Sequence, residues 1–159
     1  MPSVQSSDEK MIKKQKQIGL LGATGMVGTG FDYIVKSSPH KLRKFSRNEF
    51  DILNDSIDTL NLEGCDVVVN LAGMTNRMMI DSKSEVNGDF CNGVFPRMLA
   101  QKCATLKIPL IHLSTDCVFS GAIGPNSENV IPDATDTYGV SKIKGEQPQG
   151  SMVLRTSII

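Results

Sequence analysis

The stretch that decides the fold of this 159-residue chain is IGLLGATGMVG, residues Ile18–Gly28. A short apolar strand is followed by Gly22, Gly25 and Gly28, and a helical pattern begins within the same turn. Glycines at this spacing permit a tight turn and bring the backbone close to a pyrophosphate, while the helix N-terminus offers free N–H groups. The stretch predicts the phosphate-binding turn of a Rossmann-type domain that binds a nicotinamide dinucleotide. The alternative is a turn that only packs helix against sheet.

Outward from this turn, short apolar runs alternate with longer stretches of helical period, which is typical of βαβ units. We therefore predict an α/β fold with a Rossmann-type doubly wound parallel sheet. The predicted strands are Ile18–Leu21, Leu42–Phe45, Asp66–Leu71, Leu110–Ser114 and Met152–Thr156, and the predicted helices lie near Gly25–Lys36, Val86–Leu106 and Tyr138–Glu146. Pro96 should kink the second helix or lie near its first turn, so that this helix could begin as late as Gly93.

The N-terminal segment, residues 1–17, is polar and rich in lysine, so we expect a flexible tail before a single domain over residues 18–159. Lys plus Arg and Asp plus Glu both number 17, which argues against a surface for nucleic acid or an anionic membrane. No apolar run is long enough to span a membrane. The four cysteines form no C-x-x-C pair, which favours the reducing cytoplasm over a disulfide framework. With only two histidines, in separate elements and without a carboxylate cluster, a metal site is not expected.

The end of the second predicted strand bears on the type of dinucleotide. An acidic residue there usually binds the ribose 2′-hydroxyl, but this chain has Ser46 and Arg47. A hydroxyl and a cation favour a 2′-phosphate, and hence NADP over NAD, although Arg47 could also be a solvated surface charge. Asp51 and Ile52 are placed to meet the adenine end, and Asp51 could equally cap a turn.

Tyr138 and Lys142 lie at positions i and i+4 of one predicted helix and so share a face. A nearby ammonium stabilises a phenolate, so Lys142 is expected to lower the pKa of Tyr138 toward the working range of an acid–base group. Thr115, at the carboxyl end of the fourth predicted strand, adds a hydroxyl where open α/β sheets bind ligands.

Taken together and in order, these motifs resemble the extended short-chain dehydrogenase/reductases, and most closely the dTDP-4-dehydrorhamnose reductase-like sugar-nucleotide family. The residues that carry the resemblance are Gly22–Gly28, Arg47 with Asp51-Ile52, Asp66–Gly73, Ser114–Gly121, Tyr138–Lys142 with Gly145-Glu146, and Leu154–Ser157. The resemblance covers almost all of the chain after the tail.

The resemblance implies roles for individual residues. Tyr138 would be the proton donor, Lys142 its partner and a ribose ligand, and Thr115 the hydroxyl that holds the substrate carbonyl, with Ser114 as the fallback. Asp116 would meet the sugar, and Asn92 would match a helix asparagine of a proton relay unless it is only a helix cap. The cofactor would contact Gly22, Thr24, Gly25, Met26, Val27, Gly28, Ser46, Arg47, Asp51, Ile52, Ala72, Gly73, Met74, Thr75, Tyr138 and Lys142.

The implied activity is NADP-dependent reduction of a nucleotide-linked 4-keto-6-deoxysugar in deoxysugar or polysaccharide biosynthesis, with NAD as the second cofactor. The chain ends at Ile159, after the fifth recognisable strand, so most of the C-terminal substrate-binding portion of the family is expected to be lacking. Two alternatives follow. One is a non-catalytic NADP-binding module, like the regulatory subunit of methionine adenosyltransferase; the other is a nucleotide-sugar epimerase or dehydratase. A homo-oligomer would cover the apolar end of the chain.

Overall fold

The computed structural model describes residues 15–122, 124–146 and 150–157. Within these ranges the chain has five β-strands and five α-helices. In chain order they are β1 (Gln17–Leu21), α1 (Met26–Val35), β2 (Lys41–Phe45), β3 (Val67–Asn70), α2 (Asn76–Ser82), α3 (Glu85–Asp89), α4 (Phe95–Leu106), β4 (Leu110–Thr115), α5 (Thr137–Gly145) and β5 (Ser151–Thr156). A π-helical segment, Phe90–Val94, joins α3 to α4, and short 3-10 turns span Ile57–Thr59 and Asp116–Val118.

The strands form one parallel sheet in the order β2-β1-β3-β4-β5. Leu21 pairs with Phe45 on one side and with Asn70 on the other, so β1, β2 and β3 end level with one another. Strand β2 lies on one side of β1, whereas β3, β4 and β5 follow on its other side. Open parallel sheets form a ligand crevice at such a change of side, here between β1 and β3. The predicted Rossmann-type doubly wound parallel sheet is confirmed, and each of the five predicted strands is present with its ends shifted by no more than one residue.

Apolar residues cover both faces of the sheet, as a parallel sheet between two helical layers requires. One cluster includes Val68, Phe95 and Leu99 and packs beneath α4. The other includes Leu20, Val69 and Val35 of α1 on the opposite face. The middle strands β1 and β3 are therefore buried between the two apolar clusters, and the turns that follow them begin at the edge of this core.

The long helix predicted over residues 86–106 is divided into three parts. Pro96 lies in the first turn of α4, as the sequence allows, and has no N–H to donate to the carbonyl of Asn92. The chain accommodates this break with the π-helical segment. Helix α5 packs against it so closely that a Cβ added at Gly145 would lie 2.1 Å from the Asn92 carbonyl oxygen. The π-helical segment is thus in close contact with α5.

Two features differ from the sequence expectations. Helix α2 was not predicted, because its seven residues are too few to show a helical period; the Thr75 hydroxyl caps it by accepting from Met78 N–H. The predicted flexible tail to residue 17 is too long. Residues 1–14 lie outside the described range, but Gln17 begins β1, and its N–H donates to Asp66 Oδ2 at 2.8 Å.

Candidate cofactor site and active site

The glycine turn after β1 is shaped by close backbone packing. Gly22 has a φ of 77°, and a Cβ there would lie 2.5 Å from the Ala72 backbone nitrogen. A Cβ at Gly28 would lie 2.1 Å from the Gly22 carbonyl oxygen. Gly25 is exposed, and that same oxygen, at 3.4 Å, is the nearest described atom to a Cβ there. Gly22 and Gly28 are therefore required by close packing. Gly25 is not crowded, so the outer side of the turn is open.

Helix α1 begins directly at this turn without a side-chain cap. Its N-cap is Gly25 in an extended conformation, and among the described residues no side chain caps its first turn. In contrast, Thr75, Ser84 and Asp136 cap α2, α3 and α5 with side-chain oxygens. The uncapped amides of Met26, Val27 and Gly28 and the positive end of the helix dipole are available to an anion.

Two buried asparagines hold the segment after β3, residues 72–74, at its two ends. Asn70 Oδ1 accepts from Ala72 N–H at 3.1 Å. Asn92, in the π-helical segment, accepts from Met74 N–H through Oδ1 at 2.9 Å and donates through Nδ2 to Met74 O at 2.9 Å. Asn92 Nδ2 also donates to Ser141 Oγ in α5 at 3.1 Å. Asn92 is thus a bridge between the segment beside the glycine turn and α5, and it is not a helix cap.

Tyr138, Lys142 and Thr115 come together at the carboxyl end of β4. Lys142 Nζ donates to the Leu113 carbonyl at 3.0 Å, and a Cβ at Gly73 would lie 3.8 Å from the same nitrogen. The Thr115 hydroxyl lies near the Tyr138 phenol and influences its pKa.

The pKa values at this cluster differ from the sequence expectation. Burial lowers the pKa of Lys142 to about 8, opposed by the Glu146 carboxylate. Burial also raises the pKa of Tyr138; the neighbouring Thr115 hydroxyl acts against this rise, whereas nearby Cys117 and Asp116 add to it. The expected lowering of the Tyr138 pKa by Lys142 is therefore not found, because the ammonium is directed to the Leu113 carbonyl and the phenol is half-buried.

The two hydroxyls at the end of β4 have different surroundings. Ser114 is buried, and its Oγ has no hydrogen-bond partner among the described residues. Thr115 is half-buried; its Oγ1 accepts from Cys117 N–H and donates to Asp116 Oδ1, both at 3.2 Å. Of the two, Thr115 is the hydroxyl that reaches the surface beside Tyr138.

His112 lies in the buried layer behind this cluster. It is fully buried, and its Nδ1 is 3.1 Å from Asn70 Nδ2. Because an amide nitrogen is a donor, Nδ1 is the acceptor and the imidazole is neutral with its proton on Nε2. Burial, with the nearby Lys142 cation, lowers the pKa of His112 to about 3. His112 therefore orients Asn70, which in turn holds Ala72.

A cavity of about 570 Å³ opens next to Thr115, beyond the ends of β4 and β5. Asp116, Ser120 and Arg155 are among its lining residues. The Arg155 guanidinium makes a multiple hydrogen bond with the Glu146 carboxylate, with a shortest distance of 2.8 Å, and stacks over Phe119 at 5.0 Å. Arg155, a cation among the lining residues, is thus already paired with Glu146.

The turn after β2 carries the residues that the sequence linked to the cofactor ribose. Ser46 is half-buried and Arg47 is exposed. Asp51 accepts from Leu53 N–H at 2.9 Å and from Asn54 Nδ2 at 2.9 Å, so it caps a turn. Arg47 acts electrostatically on Asp51 and helps to lower its pKa, after the hydrogen bonds from Asn54 and Leu53.

The predicted site residues therefore lie along one edge of the sheet, beyond the carboxyl ends of β2, β1, β3 and β4. Sequence reasoning missed Asn70, His112 and Ser141, which hold this edge in place from within. A polar residue at the end of an otherwise apolar strand was the available signal for Asn70.

None of the helices in the described ranges is long and apolar enough to cross a membrane. Among the same residues, no group of three or more His, Cys, Asp or Glu side chains is arranged to hold a metal ion.

Comparison with known proteins places this arrangement in a family. A dTDP-4-dehydrorhamnose reductase from Mycolicibacterium smegmatis is 31% identical over 135 residues, 83% of this chain and 41% of that protein. Methionine adenosyltransferase 2 subunit beta from Xenopus tropicalis is 26% identical over 155 residues, 88% of this chain and 46% of that protein. The crystal structure of a dTDP-4-dehydrorhamnose reductase from Bacillus anthracis, in complex with NADP, has the same fold, with a TM-score of 0.78 at 23% identity, covering 90% of this chain and 54% of that one.

The chain spans about half the length of these relatives. The model of the RmlD substrate binding domain family matches residues 16–159, which is nearly the whole sequence. The chain therefore belongs to the RmlD substrate binding domain family.

Proposed function

We propose that this chain is the cofactor-binding and catalytic part of an NADP-dependent oxidoreductase that reduces the ketone of a nucleotide-linked 4-keto-6-deoxysugar. The proposal rests on the position of Tyr138, Lys142 and Thr115 at one edge of a Rossmann sheet. They lie beside the segment after β3, residues 72–74, which packs against the glycine turn. The similarity to reductases named for dTDP-4-dehydrorhamnose and dTDP-4-keto-6-deoxy-D-glucose supports the substrate class.

The residues at the glycine turn fit a dinucleotide. The uncapped N-terminus of α1 offers amide donors and a positive dipole to a pyrophosphate, and the open face at Gly25 lets the phosphates approach the backbone. Gly73 lies between this turn and Lys142, so a nicotinamide-bearing half can extend toward Tyr138. NADP is the favoured cofactor through Ser46 and Arg47, and NAD fits the same turn.

The bound cofactor would supply hydride to the ketone carbon. Tyr138 would hold the proton that the developing alkoxide requires, and its raised pKa keeps the phenol protonated at neutral pH. Thr115 would donate to the substrate carbonyl oxygen, orienting it toward Tyr138. Lys142 would bind ribose hydroxyls through its ammonium, which the Leu113 carbonyl holds beside Gly73.

The sugar would lie in the cavity next to Thr115, with Asp116 accepting from its hydroxyl groups. The four cysteines are free thiols, which supports a cytoplasmic location. The apolar side chains of Met152 and Leu154 are exposed on β5, and a second copy of the chain would cover them in a homo-oligomer.

The test is NADPH oxidation with a dTDP-4-keto-6-deoxyhexose, by this chain and by its Tyr138→Phe variant. We expect turnover that falls at least roughly 100-fold in the variant while NADPH affinity stays within about twofold, because only the proton donor is removed. Tyr33→Phe, a change at an exposed tyrosine of α1, is the matched control and should leave turnover unchanged. Tight NADPH binding without turnover in the parent chain would contradict the proposal.

A non-catalytic NADP-binding module is the second candidate, and it is favoured by the similarity to methionine adenosyltransferase 2 subunit beta. The two candidates differ in one measurable respect. A regulatory module should bind NADPH without oxidising it, and Tyr138→Phe should then have no effect on any reaction.

A further inference from the structure

The carboxylate of Glu49 accepts hydrogen bonds from Ser46, the residue that follows β2. Glu49 Oε2 accepts from the Ser46 backbone N–H at 2.9 Å and from Ser46 Oγ at 2.8 Å. The N–H groups of Glu49 and Phe50 both donate to the Ser46 carbonyl at 3.0 Å and close the same turn. The bonds from Ser46, with Arg43 nearby, lower the pKa of the Glu49 carboxyl, so it is charged at neutral pH.

The strand register places this pair beside the glycine turn. Leu21 and Phe45 are paired at the ends of the adjacent strands β1 and β2. Gly22 and Ser46 are the residues that directly follow these two strand ends. In Rossmann-type sheets the adenosine ribose is recognised at the end of the second strand. The Ser46 N–H and hydroxyl are therefore the groups that a substituent at the ribose 2′ position would meet, and both already bind Glu49.

We propose, resting on the proposed function, that Glu49 sets the balance between NADH and NADPH in this chain. A ribose 2′-hydroxyl can donate to the Glu49 carboxylate and leave Ser46 in place. A 2′-phosphate carries only acceptors and about −1.5 to −2 charges near neutral pH, so it is repelled by the carboxylate and must displace it from Ser46. Arg47 is exposed and takes no part in the Glu49–Ser46 hydrogen bonds, and its positive charge favours the phosphate. Glu49 thus reduces the NADPH preference that Ser46 and Arg47 alone predict.

The test compares the dissociation constants of NADPH and NADH, measured by fluorescence titration, in the parent chain and in Glu49→Gln. The amide keeps the size of the side chain and removes its charge. We expect the NADPH dissociation constant to fall roughly 5- to 10-fold, which corresponds to removing one like charge close to the phosphate at the protein surface. The NADH dissociation constant should stay the same or rise.

Glu63→Gln is the matched control, because Glu63 is an exposed carboxylate in the loop that leads into β3 and its change adds the same net charge. It should leave the NADPH-to-NADH ratio unchanged. An unchanged ratio in Glu49→Gln, or an equal change in Glu63→Gln, would overturn the inference about Glu49 alone. Failure of the parent chain to bind either dinucleotide would overturn the proposed function, and this inference with it.

Discussion

At the scale of single residues, the side chains that organise the site are buried amides rather than charges. Asn92 makes three hydrogen bonds at 3.1 Å or less, two to Met74 and one to Ser141, and is fully buried. Ser141 lies between Tyr138 and Lys142 on α5 and also donates to the Tyr138 carbonyl at 2.7 Å. One asparagine therefore sets the position of α5 relative to the segment that would line the cofactor.

Replacing Asn92 by alanine should destabilise the chain. The change leaves the Met74 N–H and the Met74 carbonyl without the Asn92 amide and removes one of the two hydrogen bonds of the Ser141 hydroxyl, at a fully buried side chain, which costs about 2–4 kcal/mol. Urea denaturation at pH 7 measures this loss. Asn48→Ala, at an exposed position of the turn after β2, is the control and should change the free energy of unfolding by less than about 0.5 kcal/mol. Equal effects of the two changes would contradict the bridging role of Asn92.

At the scale of elements, the contact between α5 and the π-helical segment depends on the absence of a side chain. A Cβ at Gly145 would lie 2.1 Å from the Asn92 carbonyl oxygen and 3.4 Å from Pro96. Gly145→Ala should therefore push the two elements apart and lower the free energy of unfolding by about 1–3 kcal/mol, as overpacking does elsewhere. Thermal unfolding followed by circular dichroism measures the loss.

Gly30 provides the control for this substitution, because it lies in the middle of α1 with no described atom within 4 Å of an added Cβ. Gly30→Ala should stabilise the chain by about 0.5–1 kcal/mol, since alanine loses less backbone entropy than glycine in a helix. Stabilisation by both substitutions would show that α5 and the π-helical segment are not in close contact.

The elements also show what sequence patterns can and cannot predict. The strands were predictable because β1 and β3 are short apolar runs bounded by polar and turn residues, and the glycine turn was predictable because its spacing is local. The π-helical segment and α2 were not, because Pro96 and Thr75 determine where helices begin but not how the chain between them winds. The Asn92–Ser141 and Glu49–Ser46 contacts depend on tertiary position and on the strand register. The direction of the Lys142 ammonium likewise follows from where the β4 backbone lies.

At the scale of the whole molecule, the buried imidazole of His112 couples folding to pH. Its folded-state pKa of about 3 lies below the ordinary value of 6.5, so between these values the unfolded chain binds the proton more strongly. The contribution of a neutral His112 to stability is therefore complete above pH 6.5 and is lost as the pH falls toward 3. Between pH 7 and pH 5 the loss should approach about 2 kcal/mol, at 1.36 kcal/mol per pKa unit.

His112→Gln tests this coupling, because glutamine retains an oxygen that can accept from Asn70 but does not titrate. The substitution removes ring contacts and should lower stability at pH 7, yet its free energy of unfolding should be flatter than that of the parent chain between pH 7 and pH 5, by about 2 kcal/mol. His40→Gln, at the other histidine, should leave the pH dependence attributed to His112 in place. Urea denaturation at half-unit pH intervals gives both curves. Parallel curves for the parent chain and His112→Gln would show that the imidazole is protonated as readily in the folded chain as in the unfolded chain.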